Sequence, residues 1–176
     1  MAMTMTATGE RKRAARRPLD ARAFEKMLAV AAMILMVFVA GALARGVANG
    51  EAARVPAIIW FHVATIGIAL ALTPVMMLRR RGDRPHRVLG WVWVLSMAAT
   101  AVASFFVRVI NPGSFSLIHI LSAWTLIQLP LIVWSAKRHR HVAHRRSVNG
   151  MVTGALIIAG IFTFPQGRLL GHWLFG

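Results

Sequence analysis

The chain alternates long apolar runs with short polar ones. Five runs, near residues 24–44, 56–78, 88–110, 115–136 and 148–164, are long enough to consider as membrane spans, because about 20 apolar residues rising about 1.5 Å each cross a hydrocarbon core of roughly 30 Å. The last is the shortest. The pattern predicts an all-α, polytopic integral membrane protein with five transmembrane helices.

A second regularity lies inside the first. Residues 61–90 and 118–150 share one plan: a His early in an apolar run (His62; His119), a Pro 12 or 11 residues later (Pro74; Pro130), then a basic loop ending in His-Arg (His86-Arg87; His144-Arg145) and another apolar run. The first and second His stand 24 residues apart in one copy and 25 in the other. Four of the five helices therefore read as a duplicated helical-hairpin bundle. Its two halves are joined by a turn at Asn111-Pro112-Gly113 and related by rotation about the membrane normal. Each proline should bend its helix at a matching depth. Ser96, Thr100 and Ser104 recur at every fourth position of the third span, and Gly150-x-x-x-Gly154 opens the fifth. Both patterns suit close approach of neighbouring helices.

Composition agrees: 57% of the 176 residues are hydrophobic, 15% are charged, and the mean hydropathy is +0.62. The net charge of +16 would suggest nucleic acid in a soluble protein. Here the basic residues concentrate in residues 11–22, 79–87 and 137–146, always on one side of the spans, with no aromatic residues interleaved as a stacking platform. That distribution excludes a nucleic-acid partner. It orients a multi-pass protein of the bacterial inner (cytoplasmic) membrane with a cytoplasmic N-terminus and a periplasmic C-terminus. The lipid bilayer, with anionic lipids at the basic cytoplasmic loops, is the expected surrounding. Cysteine is absent, so thiolate chemistry is excluded.

By domain, residues 1–22 form a basic arm with no apolar period, expected to be disordered or to lie on the membrane surface. Residues 23–46 form the first transmembrane helix and read as an uncleaved signal anchor. Cleavage after Ala42-Leu43-Ala44, which resembles a secretory processing site, is the alternative. Residues 55–165 are the four-helix domain with the repeat, and 166–176 a short external tail.

The histidines are the candidate chemistry. His62 lies about six residues into its span and His119 about four, roughly 6 to 9 Å inside the apolar boundary, where an ionisable residue needs a partner. Two opposed imidazoles suit axial ligation of a haem iron. A hydrogen bond from each His to a backbone carbonyl or a serine serves equally well. His86 and His144 precede their apolar runs by two to four residues, where solvation is ordinary. A haem there would need the helices to extend beyond the hydrocarbon. Arg87, Arg145 and Arg146 could then pair with its propionates, or with lipid. His139, His141 and His144 fall on no single helical face and have no Cys or carboxylate in their loop, so a solvated basic loop is favoured over a zinc site. His172 has no evident partner. All five acidic residues, Glu10, Asp20, Glu25, Glu51 and Asp83, lie outside the spans or at their edges. No buried carboxylate is thus expected for proton or cation coupling. Gln128 could bond a neighbouring helix or a quinone.

The segment from His62 to about Met151, with His86-Arg87-x-x-Gly90 opening one helix and His144-Arg145 ahead of Asn149-Gly150-Met151, resembles the bacterial membrane proteins grouped as domain of unknown function 2306. More distantly it resembles the transmembrane di-haem cytochromes b. That second resemblance implies His62 with His119 for one haem b and His86 with His144 for the other. The function expected is b-type-cytochrome-like electron transfer. The alternative is a cofactor-free accessory subunit or assembly factor of a larger membrane complex, joined to a membrane protein partner or to further copies of itself.

Overall fold

The computed structural model of the protein describes residues 21–107, 117–165 and 167–176. These are helical with no strand: α1 (Ala21–Ala48), a 3-10 turn (Glu51–Arg54), α2 (Ala57–Leu78), α3 (Arg84–Phe106), α4 (Leu117–Lys137), α5 (His141–Met151), a π-helical segment (Val152–Ile158), α6 (Ala159–Ile161) and α7 (Leu169–Phe175). The expected turn at Asn111-Pro112-Gly113 and most of the basic arm lie outside the described residues.

Among the described residues, four helices are long and apolar enough to cross a membrane: Arg22–Ala48, Ala57–Leu78, Arg84–Phe106 and Ile118–Lys137. The fifth expected span takes another form. Its helical path begins in the polar stretch HVAHRRSVNGM of α5 and runs through the π segment to Ile161. Only residues 151–161 of that path are continuously apolar, about half the thickness of a hydrocarbon core.

Three helices begin before their apolar runs do: α1 at Ala21, α3 at Arg84 and α5 at His141. Helix α3 starts at Arg84 because Asp83 caps it, its side chain accepting a 2.8 Å bond from the backbone N–H of His86, with Pro85 in the first turn where no N–H is needed. Helix α5 starts at His141 after a turn in which His139 has a positive φ of 55°. Both prolines predicted to bend the chain remain inside their helices, Pro74 in α2 and Pro130 in α4.

All five helical columns contribute to one buried cluster: Leu28 from α1, Ala69 from α2, Trp93 and Met97 from α3, Leu129 and Ile132 from α4, and Met151, Val152 and Leu156 from α5 and its π continuation. Large apolar side chains such as Phe61, Leu95, Phe106 and Ile127 face outward, as lipid contact requires. Helix α1 is approached closely at its middle and near its C-terminal end. A Cβ on Gly160 would run into the Leu35 side chain, and one on Gly46 into the Trp173 indole. Trp173 is 2% exposed and belongs to α7, which folds back on α1 with Ala42, Leu170 and Trp60 around it. His172, for which the sequence suggests no partner, pairs with Glu51 at 3.6 Å. The contact is legible only once α7 has folded back.

Close approach of this kind, rather than a hydrophobic driving force, binds helices in lipid. Replacing Gly160 with Leu should therefore lower the thermal stability of the detergent-solubilised protein by about 1–3 kcal/mol, the usual cost of overpacking. Gly67→Leu, where an added Cβ meets nothing within 4 Å, should leave it within about 0.5 kcal/mol.

Candidate functional site

Two polar clusters occupy opposite ends of the bundle. At one end, α2 and α3 are joined by a ladder of buried hydroxyls. Thr100 Oγ1 lies 2.8 Å from Thr65 Oγ1 and 2.8 Å from the Ser96 carbonyl. Further along, Trp93 Nε1 donates to Thr73 Oγ1 at 3.0 Å, and Thr73 donates to the Ala69 carbonyl. His62 belongs to this ladder through Nδ1, 3.2 Å from Ser104 Oγ. Ser104 has a single hydrogen and lies 2.9 Å from the Thr100 carbonyl. With that hydrogen on the carbonyl, His62 Nδ1 is the donor and Nε2 keeps its lone pair.

His119, on α4, is buried and its ring lies 5.7 Å from that of Phe105. His62 and His119 therefore approach successive residues of α3, one from α2 and the other from α4. Successive side chains on a helix diverge by about 100°.

The arginine-rich end is built differently. Because α3 and α5 extend into their basic segments, His86 and His144 sit in first helical turns rather than in loops, and they stand within electrostatic reach of each other. His144 Nδ1 lies 3.0 Å from the Ile132 carbonyl of α4. A carbonyl only accepts, so Nδ1 carries the hydrogen, and Nε2 of the neutral ring is free to act as a ligand. Nδ1 of His86 is buried and has no hydrogen-bond partner. His139 and His141 face each other edge to face, with ring centroids 6.1 Å apart, while His144 is committed to α4. Among the described residues no group of three or more His, Cys, Asp or Glu is arranged to hold a metal ion.

The arginines divide as well. Arg87 and Arg146 are exposed. Arg145 reaches Glu25, which also pairs with Arg81 from the loop between α2 and α3. Glu25 is 3% exposed, which corrects the expectation that no carboxylate is buried. A carboxylate so enclosed needs a cation beside it, and Glu25 has two.

Comparison with family models, with curated proteins and with solved structures yields no match.

Glu25→Gln keeps the size of the side chain and removes its charge. It should cost about 2 kcal/mol in thermal unfolding, less than a fully buried pair because both arginines retain access to water. A second expectation concerns pH. The His86 backbone N–H, and then Arg79 at 3.4 Å, hold the Asp83 carboxyl below its ordinary value. A depressed carboxyl stabilises the fold above its unfolded pKa and loses that contribution as pH falls through the folded one. Acid titration of helicity should show this loss below the ordinary carboxylate range, and Asp83→Asn, which keeps the cap acceptor, should flatten that step.

Proposed function

We propose that the protein is a five-span bacterial inner-membrane protein, built on two duplicated helical hairpins, that carries haem b and transfers electrons in the manner of a b-type cytochrome. The fifth crossing would be completed by α5, its π continuation and α6. The N-terminus would be cytoplasmic, as the one-sided arginines require.

The observation that carries this reading is the hydrogen bond from His144 Nδ1 to the Ile132 carbonyl. It is the support that ligating histidines ordinarily have, fixing tautomer and ring orientation while leaving Nε2 to the metal. The partner across the site would be His86, which stands within electrostatic reach of His144 but has no acceptor on its own buried Nδ1. The extension of both helices past their apolar runs supplies the platform such a haem needs. Exposed Arg87 would offset propionate charge, with Arg145 held to Glu25 and Arg146 left to lipid. At the periplasmic end His62, with Nδ1 on Ser104, would pair with His119. When bound, haem b supplies a one-electron iron couple. The chain's own residues orient the imidazoles, exclude water through the Leu129, Ile132 and Met151 cluster, and neutralise charge.

One observation favours a second reading, a cofactor-free accessory subunit or assembly factor. His62 and His119 already have places in the packing, on Ser104 and against Phe105. In that case the histidines tie helices together.

The absorption spectrum of protein purified after expression with ample haem distinguishes the two. The cytochrome reading expects a sharp visible α band on dithionite reduction. It also expects His86→Ala and His144→Ala each to remove most of one haem's absorbance while helicity is unchanged. A colourless wild-type protein sinks it and leaves the accessory reading, in which His62→Ala lowers stability and alters no spectrum.

A further inference from the structure

Beside the Glu25 cluster lies an open groove of about 400 Å³, lined by Phe24 of α1, Arg146, Asn149 and Gly150 of α5, and Thr153 and Gly154 of the π segment. We propose that this groove is a specific site for one anionic phospholipid, with the phosphate on Arg146 and the upper acyl chain along Gly150, Gly154 and Phe24. The inference rests only on the protein's being membrane-embedded and is independent of haem.

The local charge balance favours an anion. Among the described residues every carboxylate is engaged elsewhere: Glu25 with Arg81 and Arg145, Asp83 with Arg79, and Glu51 with His172. Among the described residues, none of these carboxylates pairs with Arg146, which lines the groove. Asn149 adds an amide at the same level, while Thr153 spends its hydroxyl hydrogen on the Asn149 carbonyl at 2.8 Å. Below these the lining turns apolar and loses its side chains. A Cβ on Gly150 would meet nothing within 4 Å, and one on Gly154 would only touch Trp124. From Arg146 to Gly154 the groove follows the helix for about 12 Å.

This sequence of surfaces, cation first and bare apolar backbone after it, matches a lipid rather than a free ion. Hydrated phosphate gains nothing from glycine and phenylalanine, whereas methylenes gain by covering them. It also matches an anionic headgroup rather than a zwitterionic one, because the charged side chain that lines the groove is a cation, Arg146, and no carboxylate is among the lining residues. The location at the arginine-rich end, where anionic leaflet lipids concentrate, agrees.

The test uses the full chain in detergent micelles, with native mass spectrometry reading retained lipid during titration with phosphatidylglycerol, phosphatidylcholine or inorganic phosphate. Phosphatidylglycerol should bind about tenfold more tightly than phosphatidylcholine. Arg146→Gln should weaken it about fivefold, the worth of one arginine near an anionic surface. Gly150→Leu, which fills the groove without a clash and suits a helix, should weaken it at least as much. Arg140→Gln, a control whose guanidinium stacks 4.9 Å over the Trp134 ring instead, should bind as wild type does. Equal binding of the two lipids overturns the proposal, as does wild-type binding by either groove variant, or a loss in Arg140→Gln matching that in Arg146→Gln. Displacement of phosphatidylglycerol by millimolar inorganic phosphate would make this a free-anion site and overturn the lipid assignment.

Discussion

The arrangement at the arginine-rich end depends on one buried carboxylate. Glu25 stands one turn before Leu28, where α1 enters the common core, and it draws in Arg81 from the α2–α3 loop and Arg145 from α5. Three segments far apart in sequence are thereby fixed at a single point. Desolvating a lone carboxylate costs several kcal/mol, so the pairing is obligatory once α1 packs. It also offsets self-repulsion where the basic segments of a chain of net charge +16 converge. The neighbours of Arg145 inherit their positions from it. His144, one residue before, is presented to α4 and to His86. Arg146, one residue after, is turned over the groove beside Phe24.

The opposite end is held by shape. Lipid offers apolar side chains nearly the same surroundings as a protein core, so helices there must gain from close contact or from polar bonds. Gly46 and Gly160 let Trp173 and Leu35 come up against backbone. Between α2 and α3 the Ser and Thr ladder does the same work with hydrogen bonds, which are individually modest but leave no hydroxyl unsatisfied in hydrocarbon. The π segment fits this picture. Inserting it between Met151 and Ala159 turns the helix so that Gly154 faces Trp124 while Gly160 faces Leu35, two contacts that an unbroken α-helix would have to reach with a different register.

Much of the architecture was legible because apolar run length is a strong signal. Four spans, the sites of both prolines and the small-residue character of the third span could all be read directly. Helix starts were not, since hydropathy marks where lipid begins and not where a backbone begins to coil. Asp83 and Pro85 do carry a start signal, but it is obscured within a basic stretch, residues 79–87, that holds five arginines. The same bias placed His86 and His144 in solvent and gave His62 and His119 the greater weight. Glu25 was misjudged because position alone cannot tell a boundary carboxylate that is solvated from one that is enclosed by cations arriving from 56 and 120 residues away. The contact between His172 and Glu51 depends on α7 folding back, which no local pattern announces.

The histidine geometry sharpens the functional question into one about tautomers. A His that only ties helices together can use either ring nitrogen, and Nδ1 has no privilege over Nε2. A ligand in a bis-His haem site must keep Nε2 free, and the simplest device is an acceptor at Nδ1. His144 has such an acceptor in the Ile132 carbonyl, and no assignment of hydrogens can reverse the direction of that bond. His62 has one conditionally, through a serine whose own hydrogen is drawn to Thr100. With the Ser104 hydrogen on Thr100, two histidines on different helices donate through the same nitrogen to different kinds of acceptor, a feature that the spacing in the sequence does not contain. Spacing follows from any duplication of a hairpin, whereas the choice of nitrogen is made separately at each site.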